Sequence, residues 1–390
     1  MPLTVHRTVR YRFHFRSEAS CPESPSCPAS GTSDPADHLP PPAWRKTGIQ
    51  MRLALRIAAL VLPTALATGT FAQTTLSQDI VGSTRPLSRD QESQVQSFAS
   101  DQMAELAQGD PVAVVEARNT LVQTARRAGV TGVFLGSFSD AIMPEAKKIL
   151  SDAGPMRSEN TLRVLAFLRT PDALGTLVDS TNPRTVDDAG RRLVAAGLLG
   201  VALDGNGQTG LDSGVLTSAA RSIAENLANE GNWIVALEDL RALNTIALDP
   251  ALTKENRTEV RGVQFGAFQN LAVRIEASSG PSELVQAVYR AMLGLRGKLL
   301  DDTTAGDVEN KEIARILRIV LKDVADAAIK QWNGLTSDRR AYVAYEGVLR
   351  VGAQLLSLLE GRPDSRADAL RDGIERGKSE LADAIRNFGG

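Results

Sequence analysis

Past Met51 the 390-residue chain contains neither cysteine nor histidine: Cys21 and Cys27, with His6, His14 and His38, all precede it. Without thiols no disulfide can brace this part of the chain, so its stability must come from packing. Without imidazole, Ser-His-Asp and Cys-His catalysis are excluded, and the usual ligands of zinc, copper and haem iron are missing. Aromatic residues are only 4% against 43% hydrophobic overall, so a core must be built from Leu, Val, Ile and Ala. Such a composition favours closely packed helices over sheets, which draw on aromatic and β-branched side chains. Long apolar runs are lacking too. Each one is broken by charge at helical spacing, short of the roughly twenty residues a bilayer span requires.

The N-terminal segment differs from the rest. Residues 21–42 are rich in Pro and Ser without periodicity, a composition that buries too little to order itself. Met51 then opens MRLALRIAALVLPTALATGTFAQ. Arg52 and Arg56 form a positive n-region, Leu53 to Leu62 a short apolar h-region, and small residues follow Pro63. The pattern predicts a secretory signal peptide over 51–72, cleaved after Ala72 or, alternatively, after Ala67. Because a signal peptide belongs at the start of a chain, residues 1–50 are read as a disordered or untranslated leader ahead of a true start at Met51. The expected product is exported, periplasmic or extracellular, with no membrane insertion after cleavage. With 8 basic and 4 acidic residues in the first 72, the remainder carries 36 basic against 42 acidic, a net of about −6. That balance argues against nucleic acid as a partner, which needs a basic footprint.

Residues 73–87 are expected to be a polar tether, and from Ser88 onward the sequence reads as helix after helix. Ser88 with Gln91 makes a capping box, and Asp110-Pro111 is an N-cap with proline at N1. Arg126-Arg127-Ala128-Gly129 closes that second helix with basic residues and a glycine. A third helix spans about 133–153, with Pro144 kinking or breaking it. Ser158 is expected to cap a fourth, Thr170-Pro171 restarts a partner, and Thr185 with Asp188 caps the next. Further helices are expected at about 213–228, 232–248, 253–278, 282–300, 308–332, 337–359 and 365–388. This divides the chain into a short-helix half over 88–203, a Gly-rich loop at 204–212, and a longer-helix half over 213–388. Nothing reads as a strand. The run Arg192-Leu-Val-Ala195-Ala196-Gly-Leu198-Leu199-Gly200 resembles the second-half signature of HEAT-like repeats, with an Arg ahead of small residues and a Leu-Gly. Arg191 stands where that pattern has an apolar residue. The resemblance covers about one repeat, Ser158 to Gly200, and implies antiparallel helix pairs stacked as an α-α superhelix.

Few residues combine into chemistry. In the loop after that helix, Asp204, Asn206, Gln208 and Asp212 occupy calcium-ligand positions 1, 3, 5 and 9 of an EF-hand-like pattern. Thr209 replaces its glycine and Val215 its bidentate glutamate, so an ordinary inter-helix loop is the preferred reading. Lys311, Arg315, Arg318 and Lys322 form a basic stripe opposite an apolar one, where a solvated face is favoured over an anionic partner. The carboxylate pairs Asp187/Asp188, Glu238/Asp239 and Asp301/Asp302 could suggest a glycosidase. Neighbours on a helix diverge by about 100°, so no such pair alone flanks a sugar. Trp233 and Trp332, at helix ends, and Tyr342 and Tyr345, three apart on one helix face, read as interface anchors or, preferably, as packing residues. The resulting expectation is an exported, non-enzymatic helical-repeat scaffold or binding module for a protein or peptide, without cofactor. A His-free hydrolase or lyase acting on polysaccharide and a structural envelope component are the alternatives.

Overall fold

The computed structural model describes residues 75–204, 211–301 and 307–388. Among them the chain forms sixteen helices and no strand. In order these are α1 (Gln78–Val81), α2 (Arg89–Gln108), α3 (Pro111–Ala125), α4 (Gly132–Asp152), α5 (Pro155–Leu168), α6 (Pro171–Asp179), α7 (Ala189–Leu203) and α8 (Ser213–Leu227). Then come α9 (Trp233–Ala247), α10 (Lys254–Ala277), α11 (Leu284–Asp301), α12 (Asp307–Lys330), α13 (Trp332–Ser337), α14 (Arg339–Glu360), α15 (Ser365–Arg376) and α16 (Lys378–Phe388).

Local chemistry sets most of the starts. Ser88 accepts from the Gln91 amide while Gln91 Oε1 accepts from the Ser88 amide at 3.0 Å, completing the capping box. Asp110 Oδ1 accepts from the amides of Val112 and Ala113 at 2.8 and 2.9 Å, with Pro111 at N1. Thr170, Asp188, Asp212, Asn232, Thr253, Asp338 and Asp364 cap later helices in the same way. Each such cap satisfies amides the helix cannot, for about 1 kcal/mol.

Burial then arranges the helices in two layers. α3, α5, α7, α9, α11 and α14 pack each on the next, and α2, α4, α6, α8, α10 and α12 do the same behind them. Between the layers runs one continuous core of Leu, Val, Ile and Ala, from Leu76 to Phe388. Phe98, Phe134 and Phe138 supply one of its few aromatic clusters, with ring centroids 5.2 and 6.1 Å apart.

A repeated polar device joins the second layer. Asn226 Nδ2, at the end of α8, donates to the Val178 carbonyl at the end of α6, 2.9 Å away. Arg274, in the last turn of α10, donates to the carbonyls of Leu227, which ends α8, and Glu230, just beyond it, at 3.1 and 2.7 Å. Gln331, just past α12, donates to the carbonyls of Ile275, in the last turn of α10, and Ser278, its C-cap, at 3.2 and 3.0 Å. Each helix thus satisfies the orphan carbonyls of the helix before it, which is how a helix end can be buried without loss.

Several expectations need correction. The segment expected to be a tether packs instead, with Leu76, Ile80, Val81 and Leu87 buried. Ser158 is not a cap: α5 begins at Pro155, and Ser158 is buried inside it, donating to the Ala153 carbonyl at 3.2 Å. Pro at N1 starts the helix earlier than the serine suggests. Pro144 neither ends nor splits α4. Helix length does not divide the chain either, since α2 and α4 have 20 and 21 residues while α8 and α9 have 15.

The helix expected over 365–388 is two, broken at Gly377 with φ +139°. There α15 and α16 meet so closely that a Cβ on Gly373 would stand 2.9 Å from Leu381 Cα, a backbone atom that cannot swing aside. Gly373→Ala is therefore expected to lose roughly 1–3 kcal/mol by overpacking. Gly262→Ala, where a Cβ meets open space within α10, should be neutral or slightly stabilising. Urea unfolding of both variants checks this, and equal behaviour of the two would contradict it.

Candidate functional site

The residues singled out from sequence do not converge. Asp212 Oδ1 accepts from the Val215 amide at 2.8 Å and so caps α8. The Asp204 carbonyl accepts from Arg169 Nη2 at 2.7 Å. Asn206 and Gln208 lie outside the described residues. Among the described residues no group of three or more acidic side chains could hold a metal ion. In the basic stripe, Arg315 bonds Glu312 at 2.7 Å, Lys322 bonds Asp326 at 2.6 Å, and Arg318 holds both Glu360 and Asp364. Only Lys311 has no acid of its own among these contacts. The stripe is thus largely neutralised by acids on α12 itself, by Glu360 at the end of α14 and by Asp364 in the turn after it.

The carboxylate pairs also separate. Asp188 caps α7 through the Gly190 amide at 2.8 Å, and the Asp187 carbonyl accepts from Arg192 at 2.9 Å. Glu238 bonds Arg241 at 2.6 Å, whereas Asp239 is fully buried with no partner for either oxygen. Asp301 ends α11, and Asp302 lies outside the described residues. A shallow hollow of about 510 Å³ between α15 and α16 does gather Asp368, Asp372 and Glu380. Arg371 bonds Asp368 and Asp372 there, each at 2.7 Å, leaving these two acids tied to a cation rather than poised across a cleft.

The four aromatic residues take different roles. Tyr345 is fully buried and donates to Gln331 Oε1 at 2.7 Å, orienting the amide that binds the end of α10. Burial pushes its phenol up to about 12. Tyr342 donates to the Ile374 carbonyl at 2.8 Å, and Trp332 packs half-buried on the core. Trp233 differs. It lies half-buried at the start of α9 with the guanidinium of Arg290 over its ring at 4.8 Å and that of Arg340 at 5.5 Å. Both arginines are exposed.

Sequence reasoning missed a buried charge cluster. Arg192, on α7, donates from Nε and Nη2 to the two carboxylate oxygens of Glu230 at 2.7 and 3.1 Å. Its Nη1 reaches the carbonyls of Val186 and Asp187 at 2.7 and 2.9 Å. Glu230 in turn accepts from the Asn232 amide at 2.7 Å, which positions the start of α9. Arg191, the departure from the repeat pattern, spans to the Leu150 carbonyl at 2.6 Å near the end of α4. A charged residue standing in an apolar stripe was the available signal, since Arg192, Ala195, Ala196 and Leu199 share one buried side.

Two exposed features remain. On the layer formed by α3, α5, α7, α9, α11 and α14, helix α7 bears no charged residue after Arg192. Val194, Leu198 and Val201 are half-exposed there and Gly197 is exposed. Ile234 on neighbouring α9 and Met156 on α5 are also exposed, by 38% and 40%. Separately, a cavity of about 370 Å³ opens where the α3–α4 and α5–α6 turns meet, lined by Arg126, Arg127 and Arg169 with Leu135 and Phe167. Compared with protein-family models, with curated proteins and with solved structures, the chain matches none.

Proposed function

We propose that the chain is an exported HEAT-like helical-repeat module whose α7 layer binds a segment of a protein partner. The observation that carries this reading is the apolar strip of α7, with Ile234 exposed on neighbouring α9 and Trp233 flanked by two exposed arginines. Stacked helices present a long surface of this kind without needing a deep pocket. An aromatic ring beside guanidinium groups is the side-chain chemistry typical of interface anchors. Arg290 and Arg340 favour a partner segment carrying acidic residues next to its apolar ones. The signal-like run at 51–72 supports export, and the absence of histidine and cysteine beyond it supports binding rather than nucleophilic catalysis.

Site-specific photocrosslinking in the producing cell tests the proposal. A photoreactive residue at Leu198 or Ile234 is expected to capture the same polypeptide. At Val273, exposed by 48% on α10 in the other layer, the same group should capture nothing comparable. Equal capture from both layers, or none from α7 and α9, would overturn the reading.

A further inference from the structure

The cavity between the α3–α4 and α5–α6 turns gathers three arginines around one space. Several arginines elsewhere are held by acids, among them Arg221 by Glu259, Arg315 by Glu312, Arg318 by Glu360 and Asp364, and Arg371 by Asp368 and Asp372. Among the described residues the cavity lining holds three arginines and no carboxylate, and none of the three has an acidic partner. Their bonds go to neutral groups. Arg127 Nη1 donates to the Leu76 carbonyl at 2.6 Å and Arg169 Nη2 to the Asp204 carbonyl at 2.7 Å. The Arg126 guanidinium lies over the Phe167 ring, 5.2 Å from its centroid. Carbonyls and a ring orient guanidinium groups without cancelling their charge.

The backbone at Arg169 adds a second, independent observation. It is the C-cap of α5 at φ +52°, ψ +39°, the one non-glycine residue with positive φ among the described residues. Glycine is the ordinary residue at such a helix end, and a side chain there costs about 1 kcal/mol. Its Nε, like those of Arg157, Arg191 and Arg257, is buried without a hydrogen-bond partner. A strained backbone thus holds a third guanidinium at this cavity, and such a conformation persists only where its surroundings fix it.

We infer that this cavity binds a small multivalent oxyanion. Guanidinium forks match carboxylate and phosphate oxygens two at a time, and three of them around one space favour more than one negative charge. Leu135 and Phe167 provide an apolar wall for the carbon body of such a ligand. At about 370 Å³ the space suits a small metabolite rather than a polymer. This inference uses a different surface from the α7 strip and stands or falls separately.

Titration calorimetry of the exported chain with citrate and with pyrophosphate, each against sodium chloride at matched ionic strength, tests it. Saturable one-to-one binding of at least one of them is expected, and which one binds separates a carboxylate ligand from a phosphate ligand. Arg126→Gln and Arg169→Gly should each weaken that binding by tenfold or more. Arg169→Gly relieves the positive-φ strain, so its melting temperature without ligand should stay near that of the parent, which separates loss of binding from loss of fold. No saturable heat from either probe, or affinity unchanged in both variants, would overturn the inference.

Discussion

Arg192→Leu should lower the stability of the chain by about 3–5 kcal/mol, the usual consequence of removing one member of a buried ion pair. The side chain of Glu230 is fully buried, and Arg192 answers both of its oxygens. Losing the guanidinium leaves a buried carboxylate whose side chain keeps only the Asn232 amide as donor, with Arg274 bonding the Glu230 main-chain carbonyl instead. It also strips the carbonyls of Val186 and Asp187 of their partner at the entrance to α7. The loss is larger than a Leu side chain can repay by burial, because an uncompensated charge costs several kcal/mol and a leucine returns about 1.5–3. Removing both charges tells a different story. Arg192→Leu/Glu230→Leu should recover most of the loss, though not all, since the Asn232 amide is then unanswered. Urea unfolding of the single and double variants measures this. A single-variant loss below about 1 kcal/mol, or a double variant no better than the single, would contradict the assignment.

The all-α class and most helix starts were legible because they depend on neighbours in sequence. Ser88 with Gln91, Asp110-Pro111 and Thr170-Pro171 each need only three or four residues to satisfy their amides. The break at Gly377 was hidden for the opposite reason. Leu370, Ile374, Leu381, Ala384 and Phe388 are all buried, and their spacing continues a helical stripe through the turn. Periodicity alone cannot report a reversal that keeps the phase. The ladder of Asn226, Arg274 and Gln331 spans 44 to 56 residues per bond, so it became visible only with the chain folded. The arginine cavity was concealed by a sound local rule. Arg126 and Arg127 do close a helix, but what gives them a further role is Arg169, brought alongside by the next turn. Glu238 and Asp239 adjoin in sequence, yet the first bonds an exposed arginine and the second faces the core.

Asp239→Asn should stabilise the chain at neutral pH and leave it unchanged in acid. Asp239 sits on the buried side of α9 with Ala236, Leu240 and Leu243, the stripe an apolar residue would normally occupy. Burial pushes its carboxyl well above the usual carboxylate range; the charges of Glu230 and Glu238 add to this and Arg192 opposes it. The sign follows from proton counting. Above the unfolded carboxylate range, near pH 3.9, the unfolded chain has released this proton while the folded chain keeps it. Stability therefore falls as pH rises, by up to about 1.4 kcal/mol per pH unit, until the folded carboxyl also ionises. Asparagine has nearly the shape of the neutral acid and never ionises, so it removes this slope. The stability curves of the two proteins should meet near pH 4 and separate progressively toward pH 7, with the variant above. Such a gain from a single neutral substitution requires that neither oxygen of Asp239 has a partner to lose, as is the case here. Chemical denaturation across that range decides the matter: parallel curves, or a variant weaker than the parent at pH 7, would show that the buried carboxyl is answered after all.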